Sequence, residues 1–217
     1  MFPRKTAILL ITLAIGLTLL GLTGSTYGQT DKAIAELKNQ NGQDVGSATF
    51  TQQADGVRIM VQVKNLPPGK HGIHIHAQGK CDPPGFTTAG GHFNPLGKQH
   101  GLLNPLGPHA GDSPNLEVAQ DGTGSLDYAN PRVTLASDLA NSLFKTNGTA
   151  LVIHANPDDE LTDPTGNSGG RIACGLILPA PPPSFLEQYG WAIAVMIAIV
   201  VVAVAVVAVK GRKPKSA

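Results

Sequence analysis

Aromatic residues make up only 5% of the 217-residue chain and charged residues only 14%. So little charge beside so many Val, Ile and Leu excludes intrinsic disorder. Glycine is plentiful, at 26 residues, but has no period of three, which excludes a collagen-like helix. Helical periodicity is nearly absent between residues 30 and 178. An excess of positive charge is also missing where a nucleic-acid binder needs it. The net charge is +1, but Arg4, Lys5, Lys210, Arg212, Lys213 and Lys215 flank two apolar runs. Setting those six of the 16 basic residues aside leaves ten against 15 acidic ones, a balance near −5 for the segment between. No nucleic-acid partner is expected of such a surface.

The apolar residues gather at the two ends. Ala7 to Leu22 carries no charge, follows a basic start and leads to small residues; residues 1–28 read as a signal peptide, with an uncleaved anchor as the alternative. Trp191 to Val209 is long enough, at roughly 28 Å as a helix, to cross a hydrocarbon core of about 30 Å. Residues 189–209 are therefore expected to span a membrane, with 210–217 a basic cytoplasmic tail by the positive-inside rule. A cleaved sorting signal has a similar layout but lacks its usual Thr-Gly. Residues 179–188, rich in proline, read as a semi-rigid spacer. This places the domain at 29–178 outside the cytoplasm, on the periplasmic or extracellular side, tied to membrane lipid. In that oxidising compartment the two cysteines, Cys81 and Cys174, are expected to form a disulfide.

Short alternating stretches fill the middle domain. Ala33–Leu37, Val45–Thr51, Val57–Val63, Gly72–His76, Asn115–Ala119, Gly124–Tyr128 and Ala150–His154 read as strands. Asn41-Gly42, Asp55-Gly56 and Asp121-Gly122 read as tight turns. Leu135–Asn141 fits either a strand or a short helical turn. Two long irregular segments, 77–114 and 155–170, are unusual in a compact domain unless they carry function. The expected class is all-β, an antiparallel sandwich or barrel with functional loops, plus the C-terminal helix.

All seven histidines fall between residues 71 and 154. In Gly72-Ile73-His74-Ile75-His76 a period of two puts His74 and His76 on one face and the isoleucines on the other. His71 lies off that face and reads as a satisfied core histidine. His92, His100, His109 and Asp112 lie on the first long loop, and three imidazoles with one carboxylate suit zinc. A polar surface loop is the plainer alternative. His154 ends an apolar strand, followed by Asp158 and Asp159.

These segments, with Gly90-Gly91-His92-Phe93-Asn94-Pro95, His109-Ala110-Gly111-Asp112 and Gly169-Gly170-Arg171-Ile172-Ala173-Cys174-Gly175, resemble copper/zinc superoxide dismutase over about residues 31–178. The resemblance implies a Greek-key, immunoglobulin-like barrel. It implies copper on His74, His76, His92 and His154, and zinc on His92, His100, His109 and Asp112. His92 would bridge the two ions and serve as a general acid. Asp158 would link His74 to His100, Arg171 would hold the anionic substrate superoxide, and Cys81 would pair with Cys174. Monomer and homodimer both stay open. A copper-delivery domain or an adhesive module on the same fold are rivals, but the metal-ligand set is whole and Arg171 is present. A zinc hydrolase is disfavoured because three histidines plus an aspartate leave no open water position. The acidic loop 155–170 lacks the lysines that guide superoxide in some relatives, which puts that form of steering in question.

Overall fold

The computed structural model describes residues 31–210; the signal-peptide reading, and the tail beyond Lys210, lie outside the described residues. The strands are β1 (Lys32–Asn39), β2 (Asp44–Gln53), β3 (Gly56–Val63), β4 (Gly69–His71), β5 (Ile73–His76), β6 (Leu116–Val118), β7 (Gly124–Asn130), β8 (Ala150–His154), β9 (Arg171–Leu176) and β10 (Leu178–Pro179). Among the described residues the one α-helix, α1, spans Phe185–Lys210, and a short 3-10 turn covers Thr87–Ala89.

All described pairings between these strands are antiparallel, in the order β4-β6-β7-β3-β2-β1-β9-β8-β5, with β10 beside β1. The two ends of that path, β4 and β5, are separated in sequence by Gly72 alone. The chain therefore pairs with β6 before Gly72 and with β8 after it, which nearly closes the barrel. Gly72 permits this switch because a Cβ there would sit 2.8 Å from Ser168 Cβ and 3.3 Å from Asp158 Cβ. The fold is the all-β barrel that the alternation predicts.

β1 and β3 alternate buried and exposed residues, as half-buried strands do. β5 and β8 are buried at every position. Ile73, Ile75, Leu151 and Ile153 join the main core with Phe50, Leu37 and Phe93. The other face carries His74, His76 and His154, and there the long loops take the place of solvent. The disulfide joins Cys81 to Cys174 across 93 residues, with Cα atoms 5.7 Å apart. It pins the start of the first long loop to β9, and a second small cluster of Phe86, Ala89, Ala150 and Val152 packs around it.

Two expectations need correction. Leu135–Asn141 is neither strand nor helical turn but a run of turns beside an isolated Thr134–Ser142 bridge. Helix α1 begins at Phe185, inside the stretch read as spacer. Ser184 and Glu187 form a reciprocal cap, with the Ser184 N–H donating to Glu187 Oε2 at 2.8 Å and the Glu187 N–H to Ser184 Oγ at 3.3 Å. Among the described residues, those up to 179 and those from 180 onward form separate compact units. Within the second, Phe185–Val206 is long and apolar enough to cross a membrane.

Candidate metal centre

Strand register brings three of the expected ligands together. His74 lies opposite Val152 and His76 opposite Ala150, so both rings project from the same face as His154 at the end of β8. An isolated bridge between His76 and His92 folds the first loop back onto β5 and delivers the fourth ring. His74 and His92 stack with centroids 4.1 Å apart.

Hydrogen bonds fix which nitrogen of each ring stays free. His76 Nδ1 lies 2.9 Å from the Gly90 carbonyl and His154 Nδ1 lies 3.1 Å from the Gly169 carbonyl. A carbonyl only accepts, so both Nδ1 atoms carry the proton and both Nε2 atoms present lone pairs. Those Nε2 atoms face each other at 3.4 Å. His74 Nε2 lies 2.6 Å from Asp158 Oδ2, which leaves His74 Nδ1 as its lone-pair atom. His74 Nδ1 and His92 Nε2 are buried without a hydrogen-bond partner. The ligand atoms of His74, His76, His92 and His154 all lie within 4.8 Å of one another. Four lone pairs that converge with no proton between them fit a metal cation.

The other half is organised by Asp112. Its Oδ2 accepts from the backbone N–H groups of Gly101 and His109, both at 2.9 Å. That aims Oδ1 at the Nδ1 atoms of His92, His100 and His109, at 3.0, 3.1 and 3.4 Å. His109 Nδ1 is also 3.5 Å from His92 Nδ1. His74, His92, His100 and Asp112 form a second group within 4.8 Å, but Asp158 already engages His74 Nε2, so His109 completes this half better. His92 alone has one ring nitrogen in each half. Asp158 spans the two, with Oδ2 on His74 and Oδ1 3.0 Å from His100 Nε2. A Cβ on Gly166, where φ is +60°, would collide with Asp158 Oδ1, so glycine lets the second loop close over this carboxylate.

The surroundings set the protonation states. Burial lowers His74 to about 3, despite its bond to Asp158, and His154 to about 4. Burial also lowers His76 and His92. All four are neutral at pH 7, as ligands must be. Burial works against charge on His100 too, but Asp112 and Asp158 raise it to about 9. Burial opposes ionisation of Asp112 and Asp158, yet their histidine partners hold both below the usual carboxylate range.

Arg171 opens β9 and is half-buried. Its Nη1 and Nη2 donate to the carbonyls of Phe86 and Gly90 at 2.6 Å each. The Gly90 carbonyl also holds His76, so the guanidinium is tied to the four-histidine group. His71 stands outside both halves, its ring nitrogens each 2.8 Å from a backbone carbonyl, of His154 and Pro67. An apolar cavity of about 390 Å³ beside the disulfide and β1 is lined by no histidine.

The sequence reading missed Asn115. Its Oδ1 accepts from the Asp158 N–H at 2.7 Å and its Nδ2 donates to the Asp158 carbonyl at 2.8 Å, which clamps the second loop. No local pattern marks such a long-range contact. The carboxylates of the acidic loop also have structural partners. Asp159 accepts from the N–H groups of Leu161 and Thr162, Glu160 accepts from Asn115 at 3.3 Å, and Asp163 accepts from the His100 N–H at 2.5 Å. These carboxylates are spent on holding the loop to itself and to the first loop.

The family described as copper/zinc superoxide dismutase (SODC) matches residues 45–177. Superoxide dismutase [Cu-Zn] 1 of Aquifex aeolicus (strain VF5) is 52% identical over 153 residues, 70% of this chain and 90% of that protein. Superoxide dismutase [Cu-Zn] 2 of the same organism is 51% identical over 157 residues, covering 72% and 92%. The crystal structure of a double mutant of a SOD-like protein from Bacillus subtilis aligns with a TM-score of 0.65 at 44% identity, covering 67% of this chain and 96% of that one. With two histidine groups built as above, the chain belongs to the copper/zinc superoxide dismutase family, oxidoreductases whose cofactors are copper and zinc.

Proposed function

We propose that this protein dismutes superoxide outside the cytoplasm, tethered by α1. His74, His76, His154 and His92 Nε2 would hold copper; His92 Nδ1, His100, His109 and Asp112 would hold zinc. The observation that carries the assignment is the convergence of four lone pairs, two of them on buried nitrogens with no partner. Bound copper supplies one-electron cycling and bound zinc a fixed charge.

The chain's own groups do the rest. Arg171 attracts the substrate anion and orients it, since a guanidinium stays charged and offers several donors. Its local field outweighs a domain charge near −5, because salt screens charges beyond about 8 Å. His92 Nε2 would take a proton in one half-cycle and return it to the leaving peroxide in the next, with the second proton of hydrogen peroxide coming from solvent. Asp158 keeps both halves in register through His74 and His100. Oxygen leaves in the first half-cycle and hydrogen peroxide in the second.

Residues 1–28 would direct export, 179–184 would form the spacer, and 185–206 would cross the membrane. Length, apolar character and the flanking basic residues support that layout. The test is to purify the full chain from membranes and measure its metals and its superoxide consumption. About one copper and one zinc per chain, with fast consumption, is expected; zinc alone, or copper without turnover, would overturn the reading.

A further inference from the structure

We propose that Arg132, together with Asn130, is a positioning residue that shapes the zinc half before any metal arrives. The inference rests on the reading of His109 and Asp112 as zinc ligands. Those two residues bracket a four-residue turn on a loop, so no strand register fixes them. Something else must.

The backbone carbonyls of that turn are all taken. Arg132 Nε donates to the His109 carbonyl at 3.3 Å, and its Nη2 donates to the Asp112 carbonyl at 2.9 Å. Asn130, buried at the end of β7, donates from Nδ2 to the Ala110 carbonyl at 2.8 Å. The Ile75 N–H on β5 donates to the Gly111 carbonyl at 2.9 Å. Every carbonyl from 109 to 112 is therefore bonded to the barrel, and two of the three donors are side chains.

The grip is itself anchored. Asn130 Oδ1 accepts from the Arg132 N–H at 3.0 Å, Tyr128 Oη lies 2.7 Å from Arg132 Nη2, and Asn141 Nδ2 donates to the Arg132 carbonyl at 3.1 Å. The guanidinium touches the ligands' carbonyls and makes no described contact with their metal-facing atoms. A planar fork reaches two carbonyls three residues apart and a hydroxyl at once; a lysine ammonium does not. Loss of this partner frees the turn, and lost outer hydrogen-bond partners cost about 10–100-fold in metal affinity. His74, His76 and His154 sit on strands and do not depend on it.

The test strips the full chain of metal and titrates it with Co2+, whose visible bands report ligand geometry. R132Q is expected to weaken Co2+ binding roughly 10–100-fold and to shift the bands. R132K is expected to recover only part of the loss. Cu2+ binding to the strand histidines should stay near the parent's, which a general loss of structure would not allow. Parental Co2+ affinity and bands in R132Q would overturn the proposal. Should R132Q not fold, R132K decides: weakened Co2+ binding supports the role and parental binding refutes it. A parent chain that takes up no Co2+ would overturn the ligand assignment, and this proposal with it.

Discussion

The two halves of the centre are built by different means. His74, His76 and His154 stand on β5 and β8, where ladder hydrogen bonds and a buried isoleucine face fix their direction. His100, His109 and Asp112 stand on a loop, where Asp112 Oδ2, Arg132, Asn130 and Asp163 hold the backbone one group at a time. Backbone pairing gives stiffness without special side chains. A loop gives the same precision only when nearly every carbonyl and carboxylate near it is spent on the task.

Reduction of Cys81–Cys174 should have the largest effect on stability. Opening a loop of about ninety residues costs about 4–5 kcal/mol on the chain-entropy model, read as a lower melting temperature. It should also loosen zinc before copper, because the bond anchors the start of the loop; an unshifted melting temperature would break this account. Next comes His154→Ala, which removes a strand-half ligand. Copper and activity should fall by more than about a hundred-fold, beyond the cost of a lost outer partner, while zinc stays bound. Full dismutation in that variant would contradict the assignment. Arg171→Ala should leave both metals in place and slow turnover by roughly ten-fold, equivalent to one charge-assisted hydrogen bond of about 1.4 kcal/mol. An unchanged rate would remove its role in guiding substrate.

The smallest effect is on the pH dependence of the metal-free protein. His74 and His154 are held near 3 and 4 in the folded state. Between about pH 6.5 and 4 the unfolded chain takes up protons that the folded one refuses, so stability falls on acidification. His100 has a raised value of about 9, so its contribution is complete below 6.5 and does not offset the loss there. Chemical denaturation at pH 7 and pH 4.5 would show the difference; equal midpoints would argue against neutral, buried histidines.

The same contrast explains what was legible in the sequence. A period of two exposes the His74 and His76 pair directly, and the strand ending at His154 follows from its apolar run. The loop ligands have no period, so their residue types suited zinc but left a polar surface loop open until the family resemblance favoured a metal site. Strand β9 went unread because its burial does not alternate. Its Gly175 has a packing reason: a Cβ there would press on the Glu36 carbonyl at 2.6 Å. Asn115, Asn130 and Arg132 act across long sequence separations on backbone atoms, and no local pattern marks them. The early start of α1 could have been read from Ser184 and Glu187, whose spacing is that of a capping box.

The central claim is that His92 stands between two unlike ions. Anomalous diffraction at the copper and zinc edges, from crystals of the metal-loaded protein, tests it most directly. A copper peak among His74, His76 and His154 and a separate zinc peak among His100, His109 and Asp112, with the His92 ring between them, is the predicted result. A single peak, or a His92 ring facing one ion only, would contradict the account.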